Sequence, residues 1–170
     1  MNKLNMILLI IFIIALLVIL CIIMFKYLQD KIANIYNKLI DSKNDYDGII
    51  KERYDLLISL IKTVETKYKV ESKSFDEINK EENINDEELT NKCFKEIIHI
   101  KEDNSKVRET KAFKQDLQKY EELELHIISL RTFHNKYTLI FNNKIKKFPY
   151  NIISKIKNYK LETLIEGRIK

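Results

Sequence analysis

Residues Met6 to Phe25 form an unbroken run of twenty apolar side chains, with no charged or strongly polar group among them. At 1.5 Å per residue such a run spans roughly 30 Å as a helix, the thickness of a bilayer's hydrocarbon core. In lipid every backbone N–H and C=O must be bonded within the segment, so the run predicts a transmembrane helix over residues 6–26, after a short N-terminal tail at 1–5. Lys3 and Lys26 stand beyond its two ends, and Tyr27 falls where amphipathic rings settle at the interface. A cleavable signal peptide has an apolar region of only ~7–15 residues and a small-residue cut site, and neither is found here. Leu17-Val18-Ile19-Leu20 before Cys21 resembles a lipoprotein signal, but Leu20 stands where a small residue is needed and apolar residues continue past the cysteine. An uncleaved, single-pass anchor in the cell membrane is the expectation. The first partner is then the lipid bilayer, through residues 6–26. Lys26, Lys31, Lys38 and Lys43 follow the span while Lys3 alone precedes it, so the positive-inside rule leans the soluble part toward the cytoplasm.

The remainder holds two glycines, Gly48 and Gly167, and one proline, Pro149. Sheets of this size need many tight turns built from such residues, whereas long helices need few. The expected fold is all-α: one N-terminal transmembrane helix, an elongated antiparallel helical bundle over residues 27–150, and an amphipathic C-terminal tail over 151–170. Cys21 lies in the apolar run, so it cannot reach Cys93 across lipid, and no disulfide framework follows. The net charge is +5, but Lys, Glu and Asp alternate along the soluble part, as on solvated helix faces. No basic face is segregated for nucleic acid, and none is expected as a partner.

Periodicity divides the bundle. From Tyr27 to about Lys80, apolar residues at Ile32, Ile35, Leu39, Tyr46, Ile49, Leu56, Leu60 and Val64 step by threes and fours and predict one long helix. Residues 81–85 read as a loop, and Asp86 as the cap of a shorter helix to about Glu102, with Leu89, Cys93, Ile97 and Ile100 on one face. A third helix carries a heptad seam from Phe113 through Leu117, Tyr120, Glu124, Ile127, Arg131, His134, Thr138, Phe141 and Ile145 to Phe148. It stops at Pro149, since proline disfavours helix at the residue before it. The short helix is too short to cover either long stripe, so the two long helices are expected to pack antiparallel, with an up-down-up arrangement as the rival.

The middle of that seam is polar. Glu124, Arg131, His134 and Thr138 occupy positions that apolar residues ordinarily fill, and Arg53 does the same on the first helix. An unpaired buried charge costs several kcal/mol, so these groups need partners or water. Either they form a register-setting layer inside a bundle, or they line a polar groove for a partner. Glu96 and His99 make one Glu-x-x-His step, but a di-iron bundle needs two, and Cys93 with His99 is too few for zinc. No phosphate-binding glycine loop or nucleophile elbow occurs. No catalytic residue, metal or cofactor is expected.

The stretch from Phe113 to Asn151 resembles the LemA family of membrane-anchored helical proteins. The resemblance rests on Phe113, Glu124, Ile127, Arg131, Asn135, Phe141-Asn142, Ile145, Phe148-Pro149 and Asn151, which follow the family's spacing without a gap. Arg53-Tyr54-Asp55-Leu56-Leu57 is similar to the family's Arg-x-Asp-Leu-Ile stretch, with Val64 and Tyr68 continuing it. Ile58 replaces a family proline, Lys43 a tryptophan and His134 a tyrosine, and Asn104 to Arg108 lack a Tyr-Pro motif. The resemblance adds Asn135 and Asn142 to the seam of Arg53, Glu124, Arg131 and His134, and it implies no reaction or cofactor. The expected role is a non-enzymatic anchored interaction or scaffold protein of a bacterial envelope, bound to an unidentified protein or to itself. The alternative is an envelope sensor that holds a small ligand or metal at the polar layer.

Overall fold

A computed structural model describes residues 3–80, 86–104 and 110–167. Among these every regular element is a helix: α1 (Lys3–Tyr68), α2 (Lys73–Lys80), α3 (Glu87–Asp103), α4 (Lys111–Ile145) and α5 (Tyr150–Lys157). The expected loop at 81–85 and most of the stretch from Asn104 to Arg108 lie outside the described residues. The chain divides into two compact units, residues 1–41 with 134–170, and residues 42–133.

In the unit of residues 42–133, α1 and α4 run antiparallel, with Tyr46 meeting Arg131 and Arg53 meeting Glu124. Leu57, Leu60, Ile61, Val64, Phe113, Leu117 and Tyr120 close one apolar core with Phe75, Ile78, Cys93 and Ile97 from α2 and α3. The buried α1 positions in this unit are Ser42, Tyr46, Ile50, Arg53, Leu57, Leu60, Ile61 and Val64. Ile50 and Leu57 therefore replace Ile49 and Leu56 in the stripe read from the sequence, a shift of one residue that keeps the three-and-four stepping through Arg53.

The first helix also ends sooner than its periodicity suggests. α1 stops at Tyr68, Lys69 takes a left-handed conformation (φ 54°), and α2 begins at Lys73. The physical reason lies in α4, which starts at Lys111 and offers no seam for residues beyond Tyr68 to pack on. A break at 69–72 lets Phe75 and Ile78 turn back into the core instead. The Ser72 carbonyl accepts from the Phe75 and Asp76 amides, which starts the new helix. At α3 the expected cap is present: the Asp86 carboxylate accepts from the Leu89 amide at 2.9 Å.

In the unit of residues 1–41 and 134–170, Ile32, Leu39, Phe141, Ile145 and Ile153 form the core. Tyr36, Phe141 and Tyr159 stack around its centre with ring centroids 5.0–5.5 Å apart. The residues from Leu28 to Leu39 pack antiparallel to α4, because His134 and Tyr137 meet Leu39 and Lys38, while Phe141 meets Tyr36. α4 ends at Ile145 rather than at Phe148, which stands 78 % exposed in the turn before α5. Of the C-terminal tail, Ile153 is buried in the core and α5 is a regular helix. The apolar run at the start of α1 is exposed along its length, and it is the one stretch among the described residues long and apolar enough to cross a membrane.

Candidate functional site

The seam residues fall into two groups, one in each unit. In the unit of residues 42–133, Arg53 is only 2 % exposed, and its Nη1 donates to Glu124 Oε1 at 2.5 Å. Charge-assisted geometry of this kind holds a buried guanidinium that would otherwise cost several kcal/mol. Arg53 Nε and Nη2 have no partner among the described residues. Tyr120 lies beside the pair and stacks on Phe94 at a centroid distance of 4.0 Å. Burial raises the Tyr120 phenol above its ordinary pKa, Arg53 opposes that shift and Glu124 adds to it, so the ring stays neutral. One α4 heptad further on, Arg131 donates through Nη2 to Glu87 and, at 3.3 Å, to the Tyr46 hydroxyl. Its guanidinium also sits 5.8 Å from the Tyr46 ring centroid.

In the other unit three seam residues, His134, Asn135 and Asn142, bind backbone. The Leu39 carbonyl can only accept, so His134 Nδ1, 3.2 Å away, carries the proton and donates. Thr138 is fully buried one turn along. Asn142 Nδ2 donates to the Glu162 carbonyl at 2.8 Å, and its Oδ1 accepts from the Glu162 amide at 3.0 Å. Asn135 repeats the pairing with Ile165, at 3.0 Å to the carbonyl and 2.8 Å from the amide. A side-chain amide offers the same donor and acceptor as a peptide group, so each asparagine acts as one rung of a ladder. The spacings match: seven helical residues rise about 10.5 Å, and three extended residues cover about 10 Å. The chain after Tyr159 is thereby held extended along α4, running antiparallel to it.

The residues weighed for metal chemistry are spread apart. Glu96 accepts from Ser72 and Ser74, both at 2.5 Å, whereas His99 is exposed and reaches Glu102 at 3.9 Å. Cys93 is buried and donates to the Ser74 carbonyl. Burial, with the Glu96 charge adding to it, pushes its thiol from 9.0 to about 11. Among the described residues no three His, Cys, Asp or Glu side chains are placed to share a metal ion. The structure therefore brings together Arg53 with Glu124, while Arg131, His134, Asn135 and Asn142 each find another partner. Sequence reasoning missed Glu87 and Tyr46 as partners of Arg131, and Glu162 and Ile165 as partners of the asparagines. Tyr46 stands on the apolar stripe of the first helix without its hydroxyl's partner being indicated, and no periodic signal marks the other three.

An all-helical protein whose first helix begins with an exposed apolar run, and whose seam is set with ion pairs and asparagine rungs, is the class this fold defines. The family model described as the LemA family matches residues 44–167, and the chain belongs to that family. All six seam residues and the tail they hold lie inside the match. Comparison with curated proteins and with solved structures gives no match.

Proposed function

We propose that this LemA-family protein is a single-pass, membrane-anchored scaffold that works by binding rather than by catalysis. Residues 6–26 cross the bilayer, and the bundle presents its faces to a protein partner or to a second copy on the cytoplasmic side. The observation that carries the reading is how the seam's polar groups are used. Glu124 is committed to Arg53, Arg131 to Glu87 and Tyr46, and the two asparagines to the tail backbone. Side chains engaged in this way position the fold and leave little chemistry for a substrate. The exposed Leu125 and Ile128 on α4 supply apolar surface of the kind that interfaces use.

The test uses the full chain in its membrane. It should stay in the membrane after alkaline carbonate extraction, and a cysteine placed at exposed Ser129 should react with an impermeant maleimide only after permeabilisation. Crosslinking in detergent should then trap a discrete complex. Release by carbonate, labelling in intact cells, or a monomer at every crosslinker concentration would each count against its part of the reading.

The sensor alternative keeps one observation of its own. Arg53 Nε and Nη2 are buried donors without partners among the described residues, and such donors suit water or a small anion. A rise in melting temperature with inorganic phosphate that disappears in Arg53→Met would favour the sensor. An unchanged melting temperature would leave the seam to structure.

A further inference from the structure

Between Glu124 and Glu162 the sequence contains no acidic residue, while Lys144, Lys146, Lys147, Lys155, Lys157 and Lys160 crowd its second half. The charges elsewhere alternate in sign, so this stretch is a local exception. It surrounds apolar side chains that the fold leaves outside: Phe148 is 78 % exposed, Ile152 46 % and Ile156 62 %. Ile152 and Ile156 stand four apart on α5, while Ile153 between them is buried. One exposed Phe needs no explanation, but a Phe and two Ile ringed by lysines form an amphipathic surface.

Its place within the unit gives the surface a partner. Ile145 and Ile153 share a core cluster with Ile32, and both Leu28 and Tyr150 pack against that cluster. Leu28 is three residues past Phe25, the last residue of the apolar run, a rise of about 4.5 Å. Because α4 runs antiparallel to α1 here, its C-terminal end points toward the anchor. The turn from Lys146 to Pro149 therefore lies about one helical turn from where the apolar run ends. On α1 the same level carries Lys26, Tyr27 and Lys31, with Lys31 Nζ 5.7 Å from the Tyr27 ring centroid, and Asp30 as the only acid.

We infer that this turn and α5 form a second membrane contact: Phe148 enters the headgroup region of the bilayer that holds the anchor, and the surrounding lysines bind anionic lipid. The inference rests on the reading of residues 6–26 as a membrane span. A rigid anchor brings the turn to the surface at no further translational cost, so even a weak surface affinity is realised. Lysines in a region attractive to anionic headgroups act through screened charge, so the contact weakens with salt. Its effect is to fix the tilt and rotation of the unit against the membrane.

The natural sequence contains no tryptophan, so one introduced indole reports alone. Phe148→Trp is made in the full chain, because an exposed aromatic tolerates exchange for another. It is reconstituted into phosphatidylcholine vesicles with and without phosphatidylserine, with bromines on the acyl chains of a matched set. Phe12→Trp, inside the apolar run, is the control for insertion. The inference predicts that the Phe148→Trp emission shifts blue in anionic vesicles and is quenched by bromine at least twofold. The quenching should fall back in high salt and in Lys146→Gln/Lys147→Gln. Emission at the wavelength of exposed indole, unquenched in both lipids while Phe12→Trp is quenched, would overturn the contact and leave the anchor standing. If neither position is quenched, both fall together.

Discussion

The two units share a helical seam but hold it together by different means. In residues 42–133 eleven buried residues from four helices form the core, and charged side chains pair across the seam. In residues 1–41 and 134–170 the core has five buried residues, two tyrosines and one phenylalanine stack at its centre, and His134, Asn135 and Asn142 of the seam bind backbone. A large apolar core can hold a buried arginine because its desolvation is set against much buried area. A small core cannot, and there hydrogen bonds fasten an extended segment that buries little of its own. The unit with the apolar run is thus the one whose stability depends on the tail.

The largest effect should come from emptying the smaller core. Phe141 is fully buried between Tyr36 and Tyr159, and Phe141→Ala should cost about 3–5 kcal/mol. Hydrogen exchange of the full chain in detergent should show faster exchange at residues 136–145 and 150–157. Unchanged protection there would mean that this core is not what orders the unit.

A smaller and more local loss should follow from removing a rung. Asn142→Ala deletes both bonds to Glu162 and should weaken tail docking by about 1–2 kcal/mol, which speeds exchange of the Glu162 amide roughly tenfold. Asn142→Asp keeps the acceptor but turns a carboxylate oxygen toward the Glu162 carbonyl, so it should weaken docking at least as much as alanine does. An Asn142→Ala change as silent as that of exposed Asn143 would break the contrast between the units.

The smallest effect at neutral pH belongs to Cys93 in the larger core. Its thiol is held neutral up to about 11, whereas the unfolded thiol ionises at 9.0. The folded state therefore retains a proton that the unfolded state releases, so this contribution is complete below pH 9.0 and is lost as pH rises toward about 11. Melting temperature should fall across that window, and Cys93→Ala should flatten the fall although it lowers the starting value. An equal fall in both proteins would assign the alkaline loss to other groups.

What the sequence reveals tracks the range of the interaction. The helical class follows from Gly and Pro scarcity, and the α4 seam from its unbroken three-and-four stepping: its members from Phe113 to Ile145 are buried or half-buried. Arg53 could be found because a charge on an apolar stripe contradicts its surroundings. Periodicity is blind, however, to where a helix loses its partner. The break after Tyr68 depends on the start of α4 at Lys111, more than forty residues away in sequence. The one-residue offset at Ile49 and Leu56 has another cause: Ile49-Ile50 and Leu56-Leu57 are pairs of identical residues, and hydropathy cannot say which member of each faces the core. The asparagines stood out through family spacing alone, since their partners are backbone groups of Glu162 and Ile165, and any residue but proline carries both a backbone donor and acceptor. Phe148 fits the heptad but falls beyond the end of α4, so its exposure was not legible from the spacing.

The central claim is that the polar seam is spent on holding the fold, and a double-mutant cycle on Arg53 and Glu124 tests it most directly. Glu124→Ala, Arg53→Met and the double variant would be compared by thermal and urea unfolding of the full chain in detergent. Arg53 is buried, so Glu124→Ala should destabilise by about 3 kcal/mol or somewhat more by stranding its charge. In the Arg53→Met background, where no charge is left to strand, the same change should cost less than about 1 kcal/mol. A Glu124→Ala change with no effect on stability, or one of equal size in both backgrounds, would contradict the account.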